Sequence, residues 1–253
     1  MSPSIDLNAD LGEGFGHYQI GNDAELLSVV SSANIACGFH AGDPVIMRET
    51  VATASTRGVA IGAHPGYPDL MGFGRRELGA SPDEIRAYVV YQVGALRAVC
   101  EAQGTRLRYV KAHGAMYNRG AADPTVAAAI AGAVRAVDPT LVMLGLAGSA
   151  LIEAGRAAGL QTASEAFADR AYKSDGSLVP RSEAGAVLHS IEAVEQGVRL
   201  ARDGRVRAVG GRDLEVRVDS ICVHGDTPGA IELIRALRAA MSREGITVTA
   251  FAP

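Results

Sequence analysis

Tryptophan is absent from this 253-residue chain, and aromatics make up only 5% of it. Its core must therefore be filled by aliphatic strands and small helix residues that pack closely. Cysteine is also scarce. Cys37, Cys100 and Cys222 are odd in number and lack C-x-x-C spacing, which argues against a disulfide framework and a zinc knuckle. No apolar run approaches the roughly 20 residues that span a bilayer, and no basic-then-apolar leader opens the chain, so the expected compartment is the cytoplasm. A net charge of −4 offers no electrostatic case for nucleic acid or an anionic membrane as partner. Nucleotide and hydrolase signatures are missing too: there is no G-x-x-x-x-G-K-[ST], no G-x-G-x-x-G after a strand, no HExxH and no G-x-S-x-G.

What is present is alternation. Near-continuous apolar runs at Ile5–Asn8, Asn34–Gly38, Val59–Ala63, Tyr109–Ala112, Leu141–Gly145, Gln161–Glu165 and Ser220–His224 predict seven strands covered on both faces, hence parallel. Helical stretches separate them. Asp43-Pro44, Ser81-Pro82, Asp123-Pro124 and Thr227-Pro228 each place a capping side chain before a proline suited to the first helical turn, and Glu84 completes a capping box with Ser81. Gly58, Gly104, Gly159, Gly204 and Gly245 mark the stops. Arg205–Val218, with Gly210-Gly211 at its centre, predicts a β-hairpin inserted before the last strand. The stretch from Pro65 to Leu78 has neither periodicity and is expected to be a functional loop over the mouth. No linker or low-complexity segment interrupts the series, so one α/β domain over residues 1–253 is expected.

Histidines recur where these strands stop: His40, His64, His113 and His224, with His17 trailing the first strand. In a barrel or open sheet of parallel strands such ends converge on one mouth, where the chemistry of these folds resides. Parity sharpens this, because side chains two apart on a strand share a face. Asp6, Asn8 and Asp10 share one, as do Lys111 and His113, and Cys222, His224 and Asp226. Buried inside, Lys111 needs an anionic partner, either Asp6 or Asp10 or an acidic group of the substrate. Asp10 and Glu13 are candidates for general base or metal ligand. The segment from Asp6 to His17 fails as a calcium loop, with Leu11 where glycine is needed and His17 where a bidentate glutamate is required. Asp43 is expected to cap its helix, leaving His40 free. Cys37, beside Ala36 and Gly38, reads as a small buried thiol. Glu165, Asp169, Arg170 and Lys173 form a charge run that reads equally as exposed loop charge or, through Arg170, as a clamp for a small carboxylate. Tyr117 and Asn118 are placed on the loop leaving His113. Carboxylate, imidazole and amine groups at one mouth point to hydrolysis or lyase work on a small polar substrate.

Six blocks in order carry a resemblance: Asp6-Leu-Asn-Ala-Asp-Leu-Gly-Glu-Gly-Phe-Gly16, Ser32-Ala-Asn-Ile-Ala-Cys-Gly-Phe-His-Ala-Gly-Asp43, Gly62-Ala-His-Pro-Gly-Tyr-Pro-Asp69, Val110-Lys-Ala-His-Gly-Ala-Met-Tyr-Asn118, Ser164-Glu-Ala-Phe-Ala-Asp-Arg-Ala-Tyr172 and Ile221-Cys-Val-His-Gly-Asp226. Together they resemble the LamB/YcsF family over nearly the whole chain. The resemblance implies a distorted seven-stranded (β/α) barrel akin to the polysaccharide deacetylase-like barrels. It also implies ATP-dependent opening of 5-oxo-L-proline to L-glutamate, with Mg²⁺ as the counter-ion of ATP and with B and C subunits as partners. On that expectation Asp10, His64, Lys111 and His113 carry catalysis, and Asn8, Glu13, His40, Arg170, His224 and Asp226 contact the substrate. Two other readings stay open. One is a metal-dependent amide or acetyl hydrolase with His64, His113, His224 and Asp10 as ligands; the other is a non-catalytic substrate-binding subunit.

Overall fold

Each apolar run becomes a parallel strand because helices or interior side chains cover both of its faces. The computed structural model describes residues 3–223 and 229–252. In chain order its first half comprises β1 (Ser4–Leu11), α1 (Asp23–Leu26), β2 (Ser32–Ala36), α2 (Pro44–Thr56), β3 (Ala60–His64), α3 (Pro82–Ala102), β4 (Tyr109–Val110), α4 (Gly114–Ala122) and α5 (Pro124–Val137). The second half comprises β5 (Val142–Leu146), α6 (Ala150–Ala157), β6 (Gln161–Phe167), α7 (Ser190–Asp203), β7 (Arg205–Arg207), β8 (Asp213–Glu215), β9 (Ser220–Cys222), α8 (Ala230–Arg243) and β10 (Thr247–Val248).

The strands β1 to β6 pair successively and in parallel, and β9 lies between β6 and β1, closing a seven-stranded barrel. Outside that ring β10 adds to β1, while β7 and β8 form the expected antiparallel hairpin. Register aligns Asp10 with Asn34, Ala36 with His64, Leu146 with Glu165, and Asn8 with Cys222, so the polar strand ends stand side by side.

The caps work as their side chains dictate. Asp43 accepts from the Val45 and Ile46 amides, Asp123 from those of Thr125 and Val126, and Ser81 forms a capping box with Glu84. Gly58, Gly104, Gly159, Gly204 and Gly245 all have φ between 61° and 75°, the left-handed conformation that ends a helix. The Thr227-Pro228 cap lies outside the described residues.

Three differences from the sequence reading concern elements. The first strand runs on to Leu11, because its ladder with β2 continues to Leu11 opposite Ile35. Tyr117 and Asn118 sit on α4 rather than on a loop; that helix begins at Gly114 without a side-chain cap, and the Ala115 amide donates to the Gly74 carbonyl. His40 stands four positions beyond the end of β2, and His17 is exposed.

Between strands and helices lies an aliphatic core that includes Val51, Val89, Leu96, Val134, Leu200 and Leu237. A smaller cluster of Ala60, Tyr109, Leu144, Ala163 and Ala252 is packed by Phe251, whose ring meets Tyr109 at 4.9 Å. Gly62 makes room for the Tyr109 ring, since a Cβ there would lie 2.2 Å from it. From this cluster towards the strands' C-terminal ends, the barrel interior is polar.

Candidate active site

Inward-facing polar residues survive burial when every donor finds an acceptor. Asn8 achieves this. Its Nδ2 donates to Glu165 Oε1 (3.0 Å) and Ser220 Oγ (2.7 Å), while its Oδ1 accepts from Asn34 Nδ2 (2.7 Å). Asn34 also donates to Asp10 Oδ1 and accepts from the Tyr109 hydroxyl. Deeper in the barrel Asp6 accepts from Ser31, Ser32 and Ser220. Burial pushes its carboxyl from 3.8 up to about 6, although those hydroxyls pull the other way.

Lys111 is held by this network. Its ammonium lies 2.9 Å from Glu165 Oε1 and 3.2 Å from Asp10 Oδ1, with Asn8 Oδ1 and Cys222 Sγ at 3.3 and 3.2 Å. Burial alone would lower its pKa, but the Asp10 and Glu165 carboxylates outweigh that and hold it well above the usual lysine value. Of the two partners expected from the sequence, Asp10 is in place and Asp6 is not; Glu165 takes the second position. The Glu165 carboxylate is completed by the Tyr117 hydroxyl at 2.8 Å.

A histidine cluster adjoins Asp10. His64 Nε2 lies 3.2 Å from Asp10 Oδ2 and 2.9 Å from His113 Nδ1. His64 Nδ1 is 2.8 Å from the Lys111 carbonyl, and His113 Nε2 is 2.9 Å from that of Phe73. His40 stacks flat on His113, with ring centroids 3.8 Å apart. Glu13 Oε1 stands 3.6 Å from His40 Nε2 and 3.7 Å from His113 Nδ1. Burial first, then the neighbouring imidazoles, drive the pKa values of His40 and His113 well below the usual histidine range, so both rings are neutral. Glu13, His40, His64 and His113 offer ligand atoms that all lie within 4.8 Å of one another, which suits a metal ion.

The loop after β3 seals this cluster. The Phe73 ring packs edge-on against His40 and His113. Phe73 is the non-glycine residue with positive φ, 54°, among the described residues, a strained conformation that aims its carbonyl at His113. Beyond the cluster a cavity of about 720 Å³ opens at the C-terminal ends of the strands. Asp10, His64, Lys111 and His113 line it together with Phe167, Arg170 and the starts of α4 and α6.

Asp10, His64, Lys111 and His113 are thus brought to one cavity. Asn8, Glu13 and His40 are buried and are not among the residues lining it. Arg170 lines it, but spends donors on the Ala186 and Val179 carbonyls. The charge run divides: Glu165, Asp169 and Arg170 are buried, and only Lys173 behaves as exposed loop charge. His224 and Asp226 lie outside the described residues. Sequence reasoning missed the pairing of Glu165 with Lys111 and the part played by Asn34, Tyr109 and the Phe73 carbonyl. Parity along the sixth strand, ending at Glu165, held the first signal; a backbone carbonyl leaves none.

The LamB/YcsF family pattern matches residues 5–253. Chains named as the A subunit of 5-oxoprolinase are 55% identical over 248 residues in Geobacillus kaustophilus (98% of this chain, 96% of that one) and 53% identical over 251 residues in Bordetella pertussis (99% and 100%). The crystal structure of the lactam utilization protein from Thermus thermophilus superposes with a TM-score of 0.93 at 46% identity, covering 98% of this chain and all of that one. By sequence over nearly its full length and by fold, the chain belongs to the LamB/YcsF family.

Proposed function

We propose that this chain is the A subunit of an ATP-hydrolysing 5-oxoprolinase, opening the lactam of 5-oxo-L-proline to L-glutamate together with B and C subunits. The observation that carries this reading is the near-full-length similarity to chains that bear the name of that 5-oxoprolinase component. The site supports it chemically. A five-membered lactam is a resonance-stabilised amide, and phosphorylating its carbonyl oxygen at the expense of ATP makes the carbon electrophilic. Water then adds to that carbon, the ring C–N bond breaks, the nitrogen takes up a proton, and a second water releases phosphate. The cavity suits an anionic, phosphorylated species: Arg75, Arg170 and Arg181 line it, and α4 and α6 present N-termini without side-chain caps.

In this reading Asp10, beside the Lys111 ammonium, accepts the proton of the attacking water, and His64 and His113 relay protons towards the ring nitrogen. Arg170 faces the substrate carboxylate. Asn8, Glu13 and His40 position these groups from behind, and His224 and Asp226 stand as further substrate contacts. ATP with Mg²⁺ is a co-substrate of the assembly; the chain carries no phosphate-loop signature. The test is glutamate release from 5-oxoproline and ATP, with the chain alone and with its partner subunits. Turnover confined to the assembly is expected. Full ATP-coupled turnover by the isolated chain, or none by the assembly, counts against the proposal.

A further inference from the structure

His64 and His113 meet through the ring nitrogens that their backbone contacts leave over. His64 Nδ1 is bonded to the Lys111 carbonyl and His113 Nε2 to the Phe73 carbonyl. A carbonyl oxygen only accepts, so each of those nitrogens bears a ring proton, and the opposite nitrogen of each ring is the one turned towards the cluster. Those opposite nitrogens, His64 Nε2 and His113 Nδ1, face each other at 2.9 Å. At that distance the pair needs a cation, either a shared proton or a metal ion, between or beside the two nitrogens.

A shared proton would satisfy this one pair and leave its neighbour unexplained. His40 is fully buried, and neither of its ring nitrogens has a hydrogen-bond partner among the described residues. Its Nε2 points towards Glu13 Oε1 at 3.6 Å, and that oxygen is 3.7 Å from His113 Nδ1. The three separations, 2.9, 3.6 and 3.7 Å, bracket the edge of about 3.3 Å between ligands of a tetrahedral ion with bonds of about 2.0–2.1 Å. Ring nitrogens turned outward onto backbone carbonyls are the usual support of metal-binding imidazoles. The surroundings hold the rings in place: a Cβ at Gly66 would lie 2.6 Å from His40 Nδ1, and one at Gly74 2.7 Å from His40 Cβ.

We propose that Glu13, His40, His64 and His113 bind one divalent transition-metal ion at the floor of the cavity. Three imidazoles and one carboxylate favour Zn²⁺ or Co²⁺ over the oxygen-seeking Mg²⁺ and Ca²⁺. The ligand set differs from the one expected from sequence, with His40 and Glu13 standing where His224 and Asp10 were placed. It does not depend on the lactam reading, since binding is measured without lactam, ATP or partner.

The test uses the full chain, stripped with a chelator and titrated with Co²⁺, then Zn²⁺, by calorimetry and visible absorption. One equivalent of Co²⁺ should bind with the d–d bands of a four- or five-coordinate ion, be displaced by Zn²⁺, and raise the melting temperature. His40→Gln and Glu13→Gln should each weaken binding at least about tenfold, whereas Lys173→Ala, on the exposed surface, should not. No saturable uptake by the folded wild-type chain, or full-affinity uptake by a folded His40→Gln, overturns the proposal. Should neither ligand variant fold, the imidazole ¹⁵N shifts of the stripped wild-type chain decide: Zn²⁺ must move those of His64 and His113, and unchanged shifts overturn it.

Discussion

Lys111 is surrounded by acceptors before any substrate arrives, with two carboxylates within 3.2 Å. Removing a buried charge strands its partners. Lys111→Met keeps the stem volume but leaves Asp10 and Glu165 facing each other unneutralised, so about 3–5 kcal/mol of unfolding free energy should be lost. Adding Glu165→Gln should restore part of it, and a urea-denaturation double-mutant cycle reads the coupling. Simple additivity would show that the pair does not act as a unit. Asp6 makes a prediction of opposite kind. Its carboxyl is raised from 3.8 to about 6 by burial, so the folded state holds the proton more tightly than the unfolded chain does. The resulting stabilisation, about 3 kcal/mol, is complete below the unfolded value and gone once pH has risen through the folded one. Asparagine mimics the protonated acid. Asp6→Asn and wild type should therefore match in stability below the unfolded value of 3.8 and draw apart as pH rises towards about 6, with the variant ahead; parallel curves from pH 3.5 to 7 would rule this out.

Among the elements, the loop after β3 does the most for the site, because it supplies both a wall and a backbone acceptor. Gly74 has φ 63° and touches both stacked imidazoles, its Cβ position lying 2.7 Å from His40 and 2.9 Å from His113. Gly58 has nearly the same φ, 67°, with open space around it. The pair separates backbone strain from crowding. Gly58→Ala should lose about 1–2 kcal/mol from the left-handed conformation alone. Gly74→Ala should lose distinctly more, because the rings must move as well. Equal melting temperatures for the two variants would mean that the loop yields freely and does not hold the histidines.

At the scale of the whole molecule, barrel closure depends on β9, which joins β6 to β1 through three-residue ladders. All three thiols of the folded chain are buried. Cys37, Cys100 and Cys222 are all inaccessible, and burial pushes the first two up to about 12 and the third well above the usual thiol value. The native chain should therefore leave an aromatic disulfide reagent unreacted at pH 8, and denaturation should release three equivalents of thiol. Rapid modification of one cysteine in the folded state would reveal local opening that the closed ring does not allow for.

The amino-acid sequence by itself determined where α2, α3 and α5 start, where five helices stop, which stretches form the seven strands of the ring, where the hairpin lies, and that Asp6, Asn8 and Asp10 share one inward face. These are local matters: a capping carboxylate, a glycine at positive φ or a two-residue alternation biases the chain within a few residues of itself. The helix α4 escaped because it starts without a side-chain cap and is held by contacts with Gly74 and, through Tyr117, with Glu165. Tertiary structure alone decided which side chains meet. Asn8 and Glu165 are 157 residues apart, and no periodicity links them; closure of the ring and the register of its strands bring them together. The same holds for the histidines. Their positions near strand ends were legible, but the ring nitrogens that face one another depend on the carbonyls of Lys111 and Phe73, and a backbone carbonyl has no signature in sequence because every residue carries one.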